Sequence, residues 1–182
     1  APGRPLVTAE RLEVRRGQRI AIVGPNGCGK TTLLRTLLGQ IDPLAGSVSF
    51  GSNVTAGYLS QSHGELVAED TVLASLRRVD SGLKPERART LLGAFQFTGD
   101  DSLKTVNQLS GGQRSRLLLA RLSVAGANLL MLDEPTNHLD IPSQEVLQQV
   151  LDDFEGTLLM VSHDRYLIEE LATDLWVVGD GR

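Results

Sequence analysis

Eight consecutive residues, Gly24-Pro25-Asn26-Gly27-Cys28-Gly29-Lys30-Thr31, fit the pattern G-x-x-x-x-G-K-[ST] at every fixed position. The pattern has a physical reason. Glycines let the backbone curl until several N–H groups point inward, and a β-carbon there would obstruct the approach of phosphate oxygens. The residues that follow, 31–38, are good helix formers, so a helix N-terminus adds its partial positive charge to the same place. At this spacing Lys30 reaches the β- and γ-phosphates, the Thr31 hydroxyl is placed to ligate Mg²⁺, and Thr32 meets a neighbouring phosphate. Cys28 fills a free position of the loop. Asn26, Gly27, Cys28, Gly29, Lys30, Thr31 and Thr32 are therefore the expected contacts to a nucleotide triphosphate.

A second set of residues belongs to the same chemistry. Leu129-Leu130-Met131-Leu132-Asp133-Glu134 places two carboxylates where an apolar strand ends, which in an open α/β sheet is where ligands bind. Asp133 is expected to hold the magnesium, through water, and Glu134 to orient the attacking water or take its proton. An acidic pair after a strand is commonly just a turn; the phosphate loop upstream makes it a candidate site.

The elements that must position these groups follow from periodicity. Residues 11–14 alternate like a half-exposed strand, 16–18 read as a turn, and 19–23 read as a buried strand running into the phosphate loop. Helix 31–38 ends near Gly39. Across 46–60, short alternating pieces around Val48, Phe50, Val54 and Tyr58 predict antiparallel strands; across 71–97, leucine spacing and Pro85-Glu86 predict a small helical lobe that Gly99-Asp100-Asp101 closes. Then come helix 114–123, strand 129–132, helix 143–153, strand 158–161, helix 165–171 and strand 175–178. That alternation predicts an α/β fold: a mostly parallel sheet with covering helices, an antiparallel β portion and a helical lobe. The expectation is a single domain over 1–182, with the lobe at about 65–108 inserted in the core.

Composition narrows the class. A chain of 182 residues, 41% apolar, can bury a core without staples, and a lone cysteine can form none within the chain. The longest apolar runs, such as 117–120 and 129–132, fall far short of the roughly 18 residues a membrane-spanning helix takes, so no membrane insertion is expected. Ala1-Pro2-Gly3-Arg4-Pro5 lacks the pattern of an export signal, which points to the cytoplasm. Net charge is −4, but residues 1–60 carry seven basic and three acidic side chains against eleven and nineteen in the rest, so the basic end is the candidate anion site. Seven aromatic residues leave little for stacking bases, and direct nucleic-acid binding is not expected.

Leu109-Ser110-Gly111-Gly112-Gln113 is, on propensity alone, a loop with a helix N-cap. Beside Gly29-Lys30-Thr31 and Asp133-Glu134 it resembles the signature of the ATP-binding cassette (ABC) ATPases, and the resemblance spans nearly the whole chain. Gln61, at the end of Gly57-Tyr58-Leu59-Ser60-Gln61, resembles the glutamine that links the nucleotide's magnesium to the helical lobe. His163 resembles the switch histidine. Asp133-Glu134-Pro135-Thr136-Asn137-His138-Leu139-Asp140 is similar to the ABC-F branch, soluble tandem ATPases of which many act on the ribosome or confer resistance to ribosome-targeting antibiotics. Transporter subunits more often carry Ser-Ala where this chain has Asn137-His138. Leu109 lies only 79 positions after Lys30, too few for a long coiled-coil insertion or for the extra arm of many first cassettes. Two departures stand out: residues 1–23 hold no aromatic side chain to stack on adenine, and there is one phosphate loop and one signature instead of two. The chain reads as a single excised cassette, most like the second, with its first strand trimmed.

The resemblance implies ATP and Mg²⁺ as cofactors, with Thr31, Gln61 and Asp133 around the metal and Glu134, His163 and Gln61 serving hydrolysis. It implies a head-to-tail pair in which Ser110, Gly111, Gly112 and Gln113 of one cassette close over the nucleotide held by another. The ribosome is an implied partner only through parts outside this chain. Competing readings are the ATP-binding subunit of a membrane ABC transporter and a nucleotide-gated binding module that hardly hydrolyses.

Overall fold

The computed structural model describes residues 5–59, 66–137 and 139–179. Its centre is a five-stranded sheet of β1 (Arg19–Val23), β2 (Ala56–Leu59), β3 (Leu129–Asp133), β4 (Thr157–Val161) and β5 (Asp174–Val177), in the order β2-β3-β4-β1-β5. β1 runs parallel to both β4 and β5, and β3 runs parallel to β4. Parallel neighbours need long crossovers, and helices supply them: α5 (Ile141–Asp152) joins β3 to β4, and α6 (Arg165–Leu171) joins β4 to β5. The fold is α/β, as the strand and helix alternation predicts.

β3 and β4 are buried along their whole length, which is why both read as unbroken apolar runs and not as alternation. The register sets Asp133 beside Val161 and Ile22 beside the same residue on the other side, so the C-terminal ends of β3, β4 and β1 lie next to one another. The loops leaving those ends carry the phosphate loop, Glu134 and His163. On one face Ile20, Ile22, Leu129, Met131, Leu159 and Val161 pack with Leu34 of α1 (Lys30–Leu37). Full burial of Leu34 contributes about 1.5–3 kcal/mol and fixes the helix that begins at Lys30.

The chain divides into two compact units. The first takes the described residues of 1–58, 128–134 and 156–182, and so holds most of the sheet with α1 and α6; the second takes those of 59–127 and 135–155. The second unit contains α2 (Val72–Arg77), α3 (Pro85–Ala94), α4 (Gly111–Val124) and α5. Its core is Val72, Leu76, Leu92, Phe97, Val106, Leu109, Leu117 and Ala120 with their neighbours. Helix starts here are marked chemically: the Thr71 hydroxyl caps α2, Pro85 opens α3, and the Asp140 carboxylate caps α5 by accepting from Ser143 N–H at 3.0 Å.

Two expected pieces of β-structure are not formed. Residues 11–14 make no strand, and of the described residues 46–59 only Ala56–Leu59 form one; neither 11–14 nor 46–55 enters an antiparallel ladder. Alternation is a pattern of half-burial, and it gives a ladder only where a partner covers the apolar side. Here Leu12, Val14, Val48, Phe50 and Val54 are all exposed. Elsewhere boundaries shift by one to three residues: α1 starts at Lys30, α4 at Gly111 and α5 at Ile141.

Candidate functional site

The phosphate loop leaves β1 at Gly24 and enters α1 at Lys30. Gly29 is the N-cap of α1 with φ 109°, in the left-handed region, and a β-carbon on it would lie 2.9 Å from Cβ of Leu6. Only glycine meets both demands. Because Gly29 has no side chain to cap α1, the first-turn N–H groups are left for another acceptor. Lys30 is buried and folds back over the loop, its Nζ donating to the carbonyls of Gly24 at 2.8 Å and Pro25 at 3.0 Å. Asn26 and Gly27 are exposed at the tip, Cys28 is a half-buried free thiol, and Thr32 lies in the first turn of α1.

Thr31 meets the acidic strand end directly: its hydroxyl donates to Oδ1 of Asp133 at 3.0 Å. Asp133 is buried, and its second oxygen, Oδ2, accepts from the Tyr58 phenol at 3.4 Å. Burial, and next the Asp133 charge, push the Tyr58 hydroxyl above its ordinary pKa, so it stays a donor across the working range. Tyr58 is the residue sequence reasoning passed over. It reads as one more position of an alternating strand, and only the partner across the sheet reveals it.

Glu134 follows with φ 50°, an uncommon conformation for a side chain of this size, while its N–H still donates to the Val161 carbonyl at 2.9 Å. His163 holds its carboxylate from two sides. The backbone N–H of His163 donates to Oε2 at 3.3 Å, and the ring Nε2 stands 3.5 Å from Oε1. Burial raises the Glu134 pKa above its ordinary value; His163 and Lys30 pull it back and Asp133 adds to the rise. A carboxyl moved toward neutrality is better suited to accept a proton at neutral pH than an ordinary surface glutamate.

The first unit thus brings together Lys30, Thr31, Asp133, Glu134 and His163. The donor set suits magnesium: a buried carboxylate and a hydroxyl are hard oxygen ligands, and no group of three or more His, Cys, Asp or Glu among the described residues forms a cage.

The second unit carries the signature residues at the start of α4. Ser110 is the N-cap; its hydroxyl accepts from Gln113 N–H at 3.3 Å, and the Gln113 side chain accepts from Ser110 N–H at 3.0 Å, a reciprocal box. Gly111 is half-buried in the first turn. Gly112 is buried against α5, where a β-carbon would come within 2.2 Å of Cβ and Oγ of Ser143. Gln61 and His138 lie outside the described residues.

A family model described as ABC transporter matches residues 8–137. YdiF of Bacillus subtilis (strain 168) is 52% identical over 169 residues, covering 93% of this chain and 26% of that protein. The ATP-binding protein Uup of Escherichia coli (strain K12) is 41% identical over 183 residues, covering 98% of this chain and 29% of that one. ABC transporter F family member 5 of Arabidopsis thaliana is 41% identical over 172 residues, with 93% and 25% covered. The chain spans about a quarter of the length of these curated relatives. A chain of a transporter described as of the metal-chelate ABC type, in an inward-facing conformation, shares the fold with a TM-score of 0.75 at 24% identity, covering 94% of this chain and 72% of that one. No helix among the described residues is long and apolar enough to cross a membrane. Motif order, fold and relatives agree: the chain belongs to the ABC family and is one of its ATP-binding cassettes, of the kind found in the F branch.

Proposed function

We propose that this cassette binds ATP with Mg²⁺ and hydrolyses it once a second cassette completes the site. The observation that carries the reading is the 3.0 Å hydrogen bond between Thr31 and Asp133, which joins the phosphate loop to the acidic strand end. Lys30 and the open N-terminus of α1 grip the phosphates, Thr31 and Asp133 serve the metal, and Thr32 meets a neighbouring phosphate. Magnesium, when bound, draws charge from the phosphate oxygens and orients them. Glu134 orients water and accepts its proton at the carboxylate, and His163 holds that carboxylate in place before it reaches the γ-phosphate. Gln61 joins the metal's surroundings from the segment after β2.

Ser110, Gly111, Gly112 and Gln113 of one cassette cover the nucleotide on another, so each nucleotide becomes part of a two-fold, head-to-tail interface that opens after hydrolysis. The whole chain acts as one ABC domain in the cytoplasm, with the helical lobe inserted at about 65–108. Likeness to F-branch relatives supports a role at the ribosome, engaged through parts of a longer protein.

Glu134→Gln tests the assignment. It keeps nucleotide binding, lowers turnover by about 10²-fold or more, and shifts the protein toward a stable pair in sedimentation. ATPase assays at high protein concentration, with and without ribosomes, read the first effect. Turnover equal to that of the native chain removes Glu134 from catalysis.

A further inference from the structure

We propose that Tyr58 is a positioning residue that fixes the plane of the Asp133 carboxylate for the metal; the inference rests on the nucleotide-site reading above. The torsion that turns an aspartate carboxylate is broad and roughly two-fold, so its rotamer alone does not aim it. Here two donors on opposite oxygens do: Thr31 on Oδ1 at 3.0 Å, Tyr58 on Oδ2 at 3.4 Å. They come from different elements, Thr31 from α1 and Tyr58 from β2, and both residues lie in the chain's first unit. Arg35, one turn along α1 from Thr31, brings its guanidinium charge near the Tyr58 hydroxyl. A hydroxyl that donates to Oδ1 keeps its lone pairs, so Thr31 serves Asp133 and a cation together. The phenol, pinned to Oδ2, leaves Oδ1 as the oxygen turned toward that shared position. Tyr58 acts through Asp133, the group its hydroxyl donates to.

Tyr58→Phe keeps the ring and removes only the donor. The test is binding of a fluorescent ATP analogue, titrated with MgCl₂ and repeated in EDTA, on the native chain and the variant. The expected result is unchanged affinity in EDTA and a Mg²⁺ midpoint raised by about fivefold to tenfold, within the range expected for the net loss of one long hydrogen bond. A Mg²⁺ midpoint equal to that of the native chain overturns the proposal. So does an equal loss of affinity with and without Mg²⁺, because that marks Tyr58 as packing. A native chain that binds no analogue in either buffer refutes instead the nucleotide-site reading itself.

Discussion

The two helix starts that carry motif residues are finished in opposite ways. α1 begins at Gly29, without a side-chain cap, and the nearest cation, Lys30, bends back across the loop in front of it. α4 begins at Ser110 with both side chains of a reciprocal box in place, and its second residue, Gly112, is pressed against Ser143. The difference separates two kinds of motif. At α1 no side chain caps the backbone donors; at α4 the same residues that read as a ligand signature also build the fold of the second unit. On the proposed reading, a loss at the first place is a loss of binding. At the second it is a loss of stability first.

The largest expected effect that tests this contrast is at Lys30. Lys30→Ala removes a charge-assisted donor worth about 1.5–3 kcal/mol, so affinity for Mg-ATP falls roughly 10- to 100-fold and nucleotide-induced thermal stabilisation shrinks accordingly. Calorimetric melting with and without nucleotide measures it. If the variant is stabilised as much as the native chain, α1 is not the anion site.

Gly112→Ala comes next, and its effect belongs to the ligand-free protein. A new β-carbon meets Ser143, and overpacking of this kind costs about 1–3 kcal/mol, or roughly 2–4 °C of Tm per kcal/mol in a chain of this size. Combining it with Ser143→Gly gives a smaller further loss than Gly112→Ala alone produces, since the obstructing side chain is gone. Strict additivity would show that Gly112 is not a packing residue.

The smallest effect sharpens the contrast at Gln113. Gln113→Ala removes one half of the box and lowers stability by about 0.5–1 kcal/mol, whereas Gln113→Glu retains an acceptor for Ser110 N–H and melts close to the native chain. Equal losses in the two variants on chemical denaturation would mean that the side-chain acceptor contributes nothing.

What the sequence disclosed follows the same division. The phosphate loop was legible because its physics is local: glycines, a lysine and a helix start lie in eight adjacent positions. β3 and its acidic end were legible because a strand buried on both faces leaves a plain apolar run. Tyr58 was not, since its partner Asp133 is 75 positions away and its own neighbours say only that it lies in a strand. Gly112 was read for its ligand role and not for Ser143, a contact that exists only after α4 and α5 pack. The left-handed φ of Glu134 had no signal either, because glutamate is not a residue that announces such a backbone. The misread strands at 11–14 and 46–55 show the converse: an alternating pattern states which side chains want cover, and the described structure supplies none there.

The grip of Lys30 on the carbonyls of Gly24 and Pro25 has an energetic meaning for the proposed nucleotide site. An arriving phosphate would exchange partners with an ammonium already engaged and a turn already shaped, so docking there would order little chain and would gain less net attraction than an idle cation would give.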